Sequence, residues 1–270
     1  MVTSRKDMKA LNIVCGGFVL LCLVFPAAAG AQNPMTISVG QEGARVALLS
    51  GSAQMLPLGT GTWLSLEAGK ILAAGDEVKT GPGSRLELAL PGNAVVRFAD
   101  NSHFKVVAVK PGKEGEKGNI KFAMTLGKAW ANVSRMTGIR SNFELSSENA
   151  VAGVRGTVYR MNVDDDKSVL VRTYEGEVSV SGGERQAIAK PQPVGPPQKI
   201  PGPTVVPGPR KVTMEEWTYI IRSMQQIRVG ADGSPEKPRA FTEDEDREEW
   251  VDWNKNRDVT IPEGRGDSSL

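Results

Sequence analysis

Histidine is nearly absent from this 270-residue chain, with His103 the single one. A Ser–His–Asp relay or a multi-histidine metal centre would have to be built around that one imidazole. Cysteine is as scarce: the only two, Cys15 and Cys22, lie close to the N-terminus, so thiolate zinc sites and disulfide staples lack ligands. An excess of one charge is missing too. Lys and Arg number 33 against 31 Asp and Glu, without the basic footprint of a nucleic-acid binder. These shortages argue against the common metal-dependent and nucleophilic enzymes, so neither catalysis nor a cofactor is expected. What is present is 40% hydrophobic residues, enough for a core, with 30 Gly and 17 Pro to make many turns.

Long apolar runs are few, and the clearest spans Ile13 to Phe25. Arg5, Lys6 and Lys9 precede it, and Pro26 and the small residues Ala27 to Ala31 follow. A positive start, an apolar segment and a small-residue ending are the three parts of an export signal, so residues 1–31 read as a leader cleaved near Ala31. The alternative is an uncleaved anchor over residues 13–31, in which case the protein would touch the inner membrane. Neither cysteine follows a small residue, against a lipoprotein. Removing the leader takes three of the 33 cations and one of the 31 anions, leaving thirty of each. The expected location is periplasmic or secreted.

Residues 44–182 read as short alternating segments broken by Gly, Pro, Asn and Asp. Leu86, Leu88 and Leu90 alternate with Glu87 and Ala89, and Pro91-Gly92-Asn93 forms a turn. This is an all-β pattern, and it suits a multi-stranded sandwich or a solenoid-like roll equally. Residues 189–210 are a proline-rich linker. Over residues 211–230 the spacing changes. Thr213 to Glu216 fits a capping box, and Trp217, Ile220, Ile221, Met224 and Ile227 recur every three or four residues up to Gly230. That predicts an amphipathic helix from about Met214 to Val229, whose stripe packs on the β domain or docks on a partner. Residues 231–270 read as an acidic, flexible tail with Trp250 and Trp253 needing cover.

Two stretches go beyond β patterning. One runs from Gly61-Thr-Trp63 through Gly75-Asp76-Glu-Val78 to Leu88. The other holds Gly153-Val154-Arg155-Gly156-Thr157, followed by Tyr174-Glu175-Gly176-Glu-Val178. Together they resemble the FecR domain over roughly residues 44–182. The resemblance implies a periplasmic β domain that acts through protein contacts. Its best-known members carry a cytoplasmic anti-sigma segment and one membrane helix, and sense an outer-membrane receptor. Only about ten residues precede the apolar run here, so the expectation is a stand-alone exported module without the anti-sigma segment. The motif residues also have a local reading. Gly153 and Gly156 bracket a tight turn, and Arg155, if half-buried, needs carboxylates or carbonyls around it, with Glu175 or Glu177 as the candidate partner.

The expected function is therefore a non-enzymatic interaction module of the bacterial envelope, in signalling or assembly, with an envelope protein as partner. Trp217, Ile221, Met224, Trp250 and Trp253 are candidate partner contacts. The alternative is a module that binds peptidoglycan or another cell-wall glycan through Trp63 and Trp130. Other motifs carry less. Asn132-Val-Ser134 and Arg265-Gly266-Asp267 are short matches, Asp164 to Asp166 reads as a solvated hairpin tip rather than a calcium loop, and Glu87 with Asp100 has no spacing that favours an acid–base pair.

Overall fold

A computed structural model of the chain describes residues 43–112, 117–133, 141–154, 156–183 and 217–260. The leader or anchor, the proline-rich linker, the capping box, Arg155 and the Arg265-Gly266-Asp267 tripeptide lie outside the described residues.

The first half of the chain forms β1 (Ala44–Ser50), β2 (Ala53–Leu56), β3 (Leu64–Ser65), β4 (Ile71–Leu72), β5 (Glu77–Thr80), β6 (Arg85–Ala89), β7 (Val95–Phe98), β8 (His103–Lys110) and β9 (Gly118–Asn132). The second half forms β10 (Ser141–Ser146), β11 (Ala150–Val154), β12 (Val158–Val163), β13 (Val169–Glu175), β14 (Glu177–Gly182), β15 (Thr218–Arg222), β16 (Gln225–Val229) and β17 (Arg239–Ala240). A helix, α1 (Glu249–Thr260), follows them.

The strands make two layers that share β9. Its N-terminal part pairs with β8 and, in parallel, with β10; its C-terminal part pairs with β7 and β12. One layer runs β4-β1-β6-β7-β9-β12-β13-β16-β17, antiparallel throughout. The other runs β3-β2-β5-β8-β9-β10-β11-β14-β15. We call them the first and second layers. The chain passes from one layer to the other at β1–β2, β3–β4, β4–β5, β5–β6, β7–β8, within β9, and at β9–β10, β11–β12, β13–β14 and β15–β16, so it winds like a roll while its layers pack like a sandwich.

The crossing inside β9 shows how local chemistry permits this. Gly127 has φ +101°, and a Cβ there would stand 2.5 Å from the Cα of Ser102 in the neighbouring crossing. Only glycine allows the strand to turn against that backbone. Between the layers lies one apolar core. Phe98 and Phe104 stack at 3.6 Å, Phe122 meets both edge-on, and Phe143 meets Tyr159 across the layers. Each such pair adds about 1 kcal/mol beyond the area it buries. The Pro91–Asn93 turn lies where the sequence placed it.

Two sequence expectations are corrected. Residues 218–229 are not a helix but β15 and β16, joined by Ser223-Met224 with Met224 at φ +58°. The β-branched Thr218, Ile220, Ile221, Ile227 and Val229 suit strands, and each strand extends one layer, β15 on β14 and β16 on β13. Tertiary pairing thus overrides a helical spacing. Residues 239–260 are not a loose tail: they form β17 and α1 and cover the outer face of the first layer.

Candidate functional site

The described residues of the two sequence stretches lie in two separate places, a strand entry and a pair of stacked crossings. Gly75 precedes β5, and Asp76 is buried behind it. Its carboxylate accepts the backbone N–H of Leu58 at 3.1 Å and of Ala73 at 2.8 Å, which pins the entry to β5. Gly156-Thr157 and Glu175-Gly176-Glu177 are two neighbouring crossings stacked on one another. Thr157 donates its hydroxyl to the Glu177 carbonyl at 2.9 Å, and a Cβ on Gly176 would stand 2.7 Å from the Gly156 carbonyl oxygen. Gly153 faces open space in β11, and Val154 lies in the core. Glu175 is exposed, while Glu177 pairs with Arg222 at 3.1 Å in the open.

The candidate partner contacts are engaged within the chain. Ile221 is fully buried in the core, and Trp217 packs against its edge. Met224 makes the β15–β16 crossing, its N–H donating to the Thr173 carbonyl at 2.8 Å. Trp250 is buried, and stacks on Trp253 at 5.4 Å over the first layer. Trp130 is 1% exposed, which removes it as a sugar platform. Trp63 is half-covered, with Lys79 Nζ 4.4 Å above its ring and His103 at its edge. Burial and Lys79 push His103 below its ordinary pKa despite Glu77 at 3.5 Å.

The sequence did not signal the most developed charged surface. Cross-strand register lines up Glu87, Arg97, Trp130, Arg160, Arg172 and Gln226 in one row over the outer face of the first layer. Arg85, Lys128 and Tyr174 extend it. Every charged member of the row itself is buried, because the C-terminal segment lies on top. Asp246 takes both Arg160 and Arg172 and accepts the Tyr174 hydroxyl at 2.6 Å. Glu248 takes Lys128 and Arg160, and Glu249 takes Arg85. Asp258 accepts from Arg97 at 2.6 Å and from the Trp130 indole at 2.9 Å. Arg257 of α1 reaches back to Glu87 at 2.5 Å, and Arg97 holds the same carboxylate at 2.7 Å.

Aromatic rings interleave with these pairs. Trp130 lies against Tyr174 at 4.4 Å, and Phe241 receives Arg172 on its ring at 5.1 Å. Trp253 receives Arg85 at 5.0 Å. Burial works against the Glu87 charge, but the hydrogen bonds from Arg257 and Arg97 outweigh it and hold its pKa below the usual carboxylate range. For Glu248, Lys128 and Arg160 outweigh burial in the same way. Burial raises the Tyr174 hydroxyl well above its ordinary pKa, and Asp246 adds to this, so it donates and stays neutral. Chemically this is a basic and aromatic surface whose cations are met by the carboxylates of the chain's own C-terminal segment.

The carboxylates considered for acid–base work are not a pair. Glu87 is held by two arginines, whereas Asp100 accepts the N–H of Gly83 and the amide of Asn101. In the Asp164–Asp166 tip, Asp166 accepts the Ser168 N–H at 2.8 Å and Asp164 the Ser168 hydroxyl at 3.2 Å. Among the described residues no group of three His, Cys, Asp or Glu side chains is placed to hold a metal ion, and no helix is long and apolar enough to cross a membrane.

Compared with known proteins, residues 76–179 match the family described as FecR protein. That range includes Asp76 and the whole of the stacked Gly156-Thr157 and Gly176 crossings. No curated protein matches the chain. Two crystal structures, at 1.65 and 2.50 Å, of a protein proposed to be an anti-sigma factor from Parabacteroides distasonis ATCC 8503 align with TM-scores of 0.41 and 0.40 at 14% and 15% identity. Each alignment covers 61% of this chain and 59% of the other.

Proposed function

We propose that this chain, whose residues 76–179 match the FecR family, is a non-enzymatic protein-interaction module of the bacterial envelope. It serves envelope signalling or assembly from the periplasmic side, with residues 1–31 as the export leader or, uncleaved, residues 13–31 as the anchor. The observation that carries this reading is the family match itself, taken with where its motif residues fall. They build stacked crossings and a strand entry, and so hold two broad sheet faces rather than line a reaction cleft. Function then resides on the faces, and the more elaborate of them carries the chemistry of peptide recognition.

The test is cross-linking of a tagged full-length protein in intact cells, followed by identification of what co-purifies. Specific recovery of one envelope protein is the expected result. Recovery of wall fragments alone, with the protein co-sedimenting with purified cell wall, would replace this reading with glycan binding.

A further inference from the structure

We infer that the outer face of the first layer is a docking surface for an acidic segment of a partner protein, and that residues 241–260 are its built-in competitor. The inference rests on the interaction-module reading above and names the surface and the partner's chemistry.

Charge complementarity is the first support. The sheet side presents Arg85, Arg97, Lys128, Arg160 and Arg172 against the single carboxylate of Glu87. Residues 241–260 hold eight Asp and Glu against Arg247, Lys255 and Arg257. What seats the segment is mostly ionic: its buried apolar contribution is Phe241, Trp250 and Val251. A permanent covering of a sheet is ordinarily apolar, because burying charge pairs gains little over burying hydrophobic side chains.

The second support is that the segment satisfies its site incompletely. Arg97 Nη2, Arg160 Nε and, on the segment itself, Trp250 Nε1 are buried with no hydrogen-bond partner among the described residues. Each such donor carries the cost of lost hydration, and a ligand with a better-placed acceptor would recover it. The third support is the tether. Between β16 and residue 241 the chain is largely exposed; β17, a bridge from Val229 to Pro235, the Glu236 N–H on the Arg228 carbonyl and the Asn149 amide on the Ala231 carbonyl hold it, all of them near its two ends or at the turn. The segment is therefore an intramolecular ligand whose occupancy depends on effective concentration, and a partner segment must outcompete it. The preferred partner is a helix-forming peptide with carboxylates spaced to meet Arg97 at one end and Arg160 with Arg172 at the other, and an aromatic pair between.

The experiment uses the full chain. Asp246→Asn with Asp258→Asn loosens the built-in segment, and a fluorescent peptide of residues 241–260 is the probe, followed by anisotropy at low salt. The variant should bind the probe at least tenfold more tightly than the wild type. Binding should fall steeply between 0.05 and 0.5 M NaCl and should be lost when Arg160→Gln is added. Equal binding of a scrambled peptide would indicate charge attraction without a site and would overturn the inference.

Because the variant could unfold, hydrogen exchange on the wild type is the second measurement. Residues 245–260 should open well before β7 and β13, and sooner at high salt. If they exchange only with global unfolding, the segment is a fixed part of the fold and the inference fails. A partner recovered in cells together with that exchange result would leave the module reading standing. Probe binding without any partner in cells would do the reverse.

Discussion

At the residue scale, glycines in one motif have different jobs, and the difference is measurable. Gly176 combines φ +79° with a carbonyl oxygen 2.7 Å from where its Cβ would stand. Gly153 has ordinary strand dihedrals and nothing within 4 Å. Gly176→Ala should therefore cost about 2 kcal/mol, from strain plus a displaced neighbouring crossing. Gly153→Ala should be neutral or slightly stabilising, because alanine loses less backbone freedom on folding. Denaturant midpoints of the two variants decide this, and equal losses would mean that the stacked crossings do not set the motif. Asp76→Ala should cost about 1–2 kcal/mol for the N–H groups of Leu58 and Ala73 left without their acceptor. Urea unfolding of that variant checks it, and an unchanged midpoint would mean that water replaces the carboxylate without loss.

At the element scale the discriminating case is β15. Ile220 and Ile221 share one stripe in a helix, but a strand sends them to opposite faces. Ile221 is 0% exposed and Ile220 47% exposed. Ile221→Ala should cost about 3 kcal/mol and Ile220→Ala less than about 0.5 kcal/mol. Similar losses would restore the helical stripe. The same element shows what the sequence could and could not convey. From Arg85 to Val180 alternation is strong and turn residues are frequent, so strands were legible there. Glu87 was readable only as an outward residue, and it faces outward, yet it is buried because α1 covers it. Nothing local to β6 announces a cover that arrives 170 residues later. Likewise the inward side of α1 includes Asn254, Arg257 and Asp258, polar groups that make sense only opposite Arg97 and Glu87. An apolar-stripe search passes over such a helix.

At the scale of the whole molecule, Glu87 joins the ends of the fold, since Arg97 on β7 and Arg257 on α1 share its carboxylate. The Arg97 contact is local to the β6–β7 pair, whereas the Arg257 contact spans 170 positions of sequence and so reports on the tail being seated. Their pH dependence follows from the direction of the Glu87 shift. Its folded pKa lies below the ordinary 4.5. Between those values the unfolded chain binds the proton more readily, so stability rises with pH. The contribution is complete above the unfolded value and is lost as pH falls through the folded one. Replacing Glu87 with Gln leaves two arginines on a neutral amide, a loss of about 3 kcal/mol at neutral pH. The stability gap between wild type and Glu87→Gln should therefore stay constant from pH 7 to about 5 and shrink once the pH drops below 4.5. Urea unfolding of both proteins across that range measures it. A gap that stayed flat into strong acid would show that the arginines do not favour the charged carboxylate over its protonated form.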